Sequence, residues 1–184
     1  MGKIIRIMIT ITLFFVVAKP VSAEKVAGHS ASMTYNLSNS NKSEDLFKKK
    51  LAIKRVLEKY DSDMAEVTDS FINTAVTYDL DPYLLPSIAG LESFFGRFTM
   101  PGSYNPFGWG RGLVPFENWE QAIETVGKGI RENYIDKGAQ TIDEIGAIYC
   151  EGNTWAGKVR FFMDEFKAEE EKIQLLLGDN TVKL

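Results

Sequence analysis

The chain has one cysteine, Cys150, and one histidine, His29, in 184 residues. A lone thiol cannot form an internal disulfide, so the fold must rely on its packed core. A lone histidine near the N-terminus leaves no partner set for Ser-His-Asp or Cys-His catalysis, and no His or Cys cluster for zinc. Basic charge is also in short supply: 21 Lys and Arg stand against 25 Asp and Glu, a formal net charge of −4. A nucleic-acid binder would show the opposite balance or a basic stripe. The locally basic "KKKLAIKR" (48–55) is flanked by Glu44, Asp45 and Glu58, so it reads as a solvated helix face. No glycine-rich phosphate loop follows a strand pattern, and no apolar run after residue 23 could cross a bilayer. No metal, cofactor or nucleic-acid partner is therefore expected.

What is present divides the chain. "MGKIIR" is a short basic start, "IMITITLFFVVA" an apolar run, and Val21 and Ala23 are small residues before a cut. That pattern predicts a secretory signal peptide over 1–23, with the mature chain starting at Glu24 and working outside the cytoplasm. An uncleaved anchor is the alternative, and would be the only membrane attachment. Removing 1–23 takes away Lys3, Arg6, Lys19 and no acid, moving the formal charge from −4 to about −7. Residues 24–44, rich in Ser and Asn and without periodicity, read as a flexible tether. The remainder, 45–177, has room for one core, and a monomer is expected. A frayed tail over 178–184 completes the expected organisation.

From residue 45 the period is helical. Apolar residues recur at steps of three and four over 45–59 and 63–79. "DLDP" ends the second helix and starts a third over 82–95, with Asp81 as N-cap and Pro82 in the first turn. Pro86 either kinks that helix or marks its true first turn. Asn118 with Gln121 makes a capping-box-like start for 119–135, and Thr141 with Glu144 starts 142–150. A last helix runs from about Thr154 to Leu177, with Gly178 as its stop. The fold class expected is mainly α, with one long loop or small hairpin lobe.

One acid stands out. At about 100° per residue, with Leu84 at zero, Leu85 falls near 100°, Ile88 near 40°, Leu91 near 340° and Phe95 near 20°. Glu92 falls near 80°, within that apolar arc. Burying an ionised carboxylate is costly, so Glu92 is expected to be neutral, ion-paired or facing a cleft. Immediately after it, "GRFTMPGSYNPFGWGRGLVP" (96–115) holds five Gly and three Pro, a long loop of the kind that carries function. Tyr104, Phe107 and Trp109 beside Asn105 offer flat faces and an amide, which suit sugars; core packing is the alternative use of Phe107 and Trp109. Cys150 reads as a small buried residue, and Trp155 as core or cleft lining.

At these residues a resemblance enters. "DLDPYLLPSIAGLESFFG", "NPFGWG", "FENWEQAIETVGKGIRENY" and "IYCEGNTWAGKVRFFM" together resemble the glucosaminidase and lytic-transglycosylase branch of the lysozyme superfamily, over roughly Asp69 to Phe166. The resemblance implies a lysozyme-like α domain that cleaves β-1,4-linked peptidoglycan strands. It implies Glu92 as general acid, Tyr149 as the active-site tyrosine of a "Y-A-T" stretch written here "YCE", and Asn105 as the opening of an "N-x-F-G" loop. Tyr104, Phe107, Trp109 and Glu151 join Asn105 as expected substrate contacts. Apolar walls raise a carboxyl pKa for acid catalysis, and Leu85, Ile88 and Phe95 are the expected walls; lysozyme itself is the standard example.

The sequence departs from the hydrolysing relatives in one respect. Residues 93–116 contain no Asp or Glu, so a second lobe carboxylate is missing. Glu117 is the nearest downstream acid and the candidate base; Glu151 is another. With one acid–base, the substrate's own N-acetyl group or 6-hydroxyl must assist, giving either a reducing end or a 1,6-anhydro end. The competing expectation is a non-catalytic wall-binding or scaffold module that keeps the fold.

Overall fold

A computed structural model describes residues 28–150 and 154–178. The chain divides into two compact units, Met1–Leu37 and Ser38–Leu184. Of the first, the described part is helical backbone from Gly28. The expected signal peptide, the cut before Glu24, Glu151 and the tail beyond Gly178 lie outside the described residues. Among the described residues all regular structure is helical, so the fold is mainly α. No helix among them is long and apolar enough to cross a membrane.

Helix α1 spans Gly28–Lys59, so most of the stretch read as a tether is helical. The physical reason lies in propagation. No Pro interrupts 28–44, and once the amphipathic 45–59 segment has nucleated, each added residue gains a backbone bond. The next stretch, read as one helix, is two elements: a 3₁₀ turn over Asp63–Val67, capped by Ser62, then α2 over Thr68–Tyr78. The Ser62 hydroxyl accepts from the Met64 N–H and donates to the Phe95 carbonyl, which ties this corner to the far end of the next helix.

That next helix, α3 (Leu84–Ser93), is shorter than expected at both ends. Asp81 caps a preceding turn, its carboxylate accepting from the Tyr83 N–H at 2.8 Å. Pro86 therefore sits in the first turn, where its missing N–H costs nothing. The helix is buried from Leu84 to Gly90, with Leu85 and Ile88 in the centre of the core. It stops because Phe94 and Phe95 take φ of +51° and +58°. The Phe95 N–H reaches back to the Ala89 carbonyl, a closure usually given to glycine. Left-handed backbone costs an L-residue roughly 1–2 kcal/mol. Burying the Phe95 ring, about 2–3 kcal/mol, offsets that: it is 1% exposed and packs on Tyr60, Phe162 and Phe166.

Residues 97–118 form the long loop, with no strand in it, so the hairpin alternative is not the one adopted. Helix α4 (Trp119–Asn133) begins with Asn118 accepting from the Gln121 N–H, while the Gln121 amide oxygen accepts from the Glu117 N–H. It packs on α2, where Gly127 leaves space for Thr74. Helix α5 (Ile142–Tyr149) starts with the complete Thr141–Glu144 capping box. Helix α6 (Trp155–Gly178) packs on α3 and α5.

The basic stretch at 48–55 is less solvated than expected. Lys49 pairs with Glu170 at 2.9 Å and Arg55 with Glu169 at 3.3 Å, joining α1 to α6. Farther along, Lys59 and Tyr60 both bond Glu165, and Tyr83 donates to Glu170 at 2.7 Å.

Candidate functional site

Glu92 lies in the last full turn of α3, one residue before that helix ends. The wheel position that extends the Leu85–Ile88 arc does not enter the core here. Glu92 is exposed, and Leu85, Ile88 and Phe95 are core residues, not walls around it. The correction has a local cause: one turn beyond Ile88 the helix reaches its end, and its carboxylate meets the loop and α6. Oε1 accepts the Trp155 Nε1–H at 2.8 Å. Oε2 lies beside Gly108, where an added Cβ would stand 3.4 Å away. Among the described residues no Lys or Arg pairs with Glu92.

Trp155, the first residue of α6, is 4% exposed, and Gly146 of α5 makes room for its ring. Tyr149, at the end of α5, stacks on it with centroids 5.0 Å apart. The Tyr149 ring is half-buried, and its hydroxyl donates to the Phe107 carbonyl at 2.7 Å. Burial pushes the Tyr149 hydroxyl well above its ordinary value, and the negative charge of Glu92 adds to the shift. Tyr149 is therefore a neutral O–H whose proton is engaged by the loop. Trp109 and Tyr134 continue the aromatic wall, at 6.1 and 6.0 Å from the Tyr149 ring.

The loop is held to this wall by two small residues. The Ser93 hydroxyl donates to the Pro106 carbonyl and accepts from the Gly96 N–H, each at 2.8 Å. Asn105 is 5% exposed: its Oδ1 accepts from the Trp109 N–H, and its Nδ2 donates to the Trp109 and Val114 carbonyls, all at 2.9 Å. Those bonds occupy the Asn105 amide with loop backbone, so it is a loop anchor and not a sugar contact. Phe107 is fully buried and is likewise a core residue; what it gives the site is its carbonyl.

The remaining expected residues scatter. Tyr104 is exposed, with φ of +46°, and meets Trp119 edge-on at 5.0 Å. Trp109 is half-buried against Gly129 of α4. Glu117 is exposed before α4, and none of the contacts around Glu92 among the described residues involves it. Cys150, expected to be buried, is exposed just past α5, where the chain turns extended. Cavities of about 290 Å³ beside Asn73 and Glu120 and about 380 Å³ beside Arg131 and Met163 are lined by none of the Glu92 cluster.

Trp155 and Ser93 are the residues that sequence reasoning missed. The sequence marks Trp155 only as core or cleft lining; no local pattern shows that its N–H meets an acid 63 positions away. Among the described residues no cluster of three His, Cys, Asp or Glu could hold a metal ion. The chain matches no protein-family model and no curated protein.

Proposed function

We propose that this chain is an extracytoplasmic enzyme that cleaves peptidoglycan strands at β-1,4 links between N-acetylated amino sugars, on a lysozyme-like α domain. Glu92 is the general acid and then the base. The observation that carries the reading is the setting of Glu92. An acid with no cation partner among the described residues, one oxygen fixed by an indole N–H, stands at a wall of Trp155, Tyr149 and Trp109. Protonating a glycosidic oxygen needs a positioned acid, and sugar faces pack on aromatic rings.

No second carboxylate joins Glu92 among the described residues, which favours assistance by the substrate's own 6-hydroxyl or N-acetyl group over water activation by a protein base. Tyr149 holds the loop through Phe107 and presents its ring beside the acid. Because Glu92 is exposed and bears no burial cost, a non-catalytic wall-binding module could carry it equally well, and that second reading stands beside the first. Digestion of purified peptidoglycan separates them. The enzyme releases soluble fragments, and Glu92→Gln releases roughly a hundredfold to ten-thousandfold less while still binding the polymer. No release by the parent refutes the enzymatic reading, and equal release by both proteins refutes Glu92 as its acid.

A further inference from the structure

The two oxygens of Glu92 are not equivalent. Oε1 accepts the Trp155 N–H at 2.8 Å. An indole N–H only donates, and the carbonyl oxygen of a carboxylic acid is a better acceptor than its hydroxyl oxygen. A proton on Glu92 is therefore directed to Oε2. That oxygen faces Gly108, which is exposed, has φ of +63° and puts no side chain over it.

We propose that Trp155 and Gly108 are positioning residues, which make Oε2 the oxygen that delivers the proton. The inference rests on the glycan-cleaving reading above. An exposed carboxylate otherwise samples several rotamers, and ordering it costs entropy at each turnover. Trp155 avoids that because it is fixed before substrate arrives: it is 4% exposed, seated over Gly146 and stacked on Tyr149. In the reaction, Oε2 gives its proton to the glycosidic oxygen as the anomeric C–O bond breaks, and the bonding pair goes to that oxygen. The 6-hydroxyl of the substrate, or water, bonds to the anomeric carbon and returns a proton to Oε2. As the carboxylate charge develops, the Trp155 N–H bond becomes charge-assisted and strengthens.

The test pairs kinetics with a resonance. Trp155→Phe keeps an aromatic ring beside Tyr149 and removes only the donor. Its kcat should fall about tenfold to a hundredfold, as misplacement of a reacting group does, with KM little changed. Gly108→Ala, which puts a methyl group against Oε2, should lower kcat/KM without moving the Trp155 indole signal. In the intact protein, the indole N–H signal that disappears in Trp155→Phe should move in Glu92→Ala, and by more than those of Trp109 and Trp119. Where Trp155→Phe does not fold, the same signal is assigned by elimination from Trp109→Phe and Trp119→Phe.

Wild-type kcat in a folded Trp155→Phe overturns the proposal, and so does a Trp155 signal indifferent to Glu92. A parent protein that cleaves no glycan although the signal responds overturns the function it rests on, and the catalytic role of the pair with it.

Discussion

Along the α1–α6 seam, each carboxylate meets a cation: Glu165 takes Lys59, Glu169 takes Arg55 and Glu170 takes Lys49. Two of them also accept a tyrosine O–H, from Tyr60 and Tyr83. At the end of α3, Glu92 takes an indole N–H and no cation among the described residues. The seam acids are the more buried, with side chains 17–19% exposed, whereas Glu92 is exposed. Burial therefore does not distinguish the candidate site; the partner does. A cation ties each seam carboxylate to the neighbouring helix and serves the fold, whereas the indole N–H orients Glu92 through one oxygen and leaves the other facing Gly108.

The largest expected difference is between Glu92→Gln and Glu170→Ala. The first should remove activity by orders of magnitude yet melt within about 0.5 kcal/mol of the parent, because it leaves no charge unpaired. The second should leave activity per folded molecule intact and cost about 1–3 kcal/mol, because it strands the Tyr83 hydroxyl and leaves Lys49 with Asp45 alone. Thermal melts beside the glycan digest check both; equal melting of the two variants would erase the contrast.

Tyr149→Phe comes next. It removes the donor to the Phe107 carbonyl, at about 1 kcal/mol of stability, and its loss of activity should be smaller than that of Glu92→Gln. A loss as great would give the hydroxyl a direct chemical role.

The smallest effect concerns alkaline pH. Burial raises Tyr83 far above its ordinary value of 10.0, Glu170 adding to the shift, and burial with Glu92 raises Tyr149. Both hydroxyls stay protonated in the fold after they would ionise in the unfolded chain. The stability they contribute is complete below pH 10 and declines as pH rises beyond it. Phenolate absorbance followed with unfolding should show the decline, and Tyr83→Phe should reduce it.

Most helices were legible in the sequence because their signals are local. Thr141 with Glu144 marks α5, Asn118 with Gln121 marks α4, the three-and-four spacing marks α2 and the 45–59 part of α1, and Gly178 marks the end of α6. Glu92 and Tyr149 were legible as candidates from residue type and motif. Their surroundings were not, because the contacts are long-range: Trp155 reaches Glu92 across 63 positions and Tyr149 reaches Phe107 across 42. The wheel that placed Glu92 in an apolar arc assumed that α3 continued to 95. Two left-handed phenylalanines end it first, a conformation that propensity does not assign to Phe. Asn105 misled for a related reason: residue type suggested a sugar contact, while the loop needed an anchor; Phe107 takes the core-packing use that its type also allowed.

The central claim is that a single carboxylate with a neutral partner performs the chemistry. The most direct measurement is mass spectrometry of the muropeptides released by the parent and by Glu117→Gln. The expected result is comparable release by both proteins, with 1,6-anhydro ends that make each fragment one water lighter than a hydrolysed one. Reducing ends alone, together with loss of activity in Glu117→Gln, would contradict the claim and make Glu117 the base.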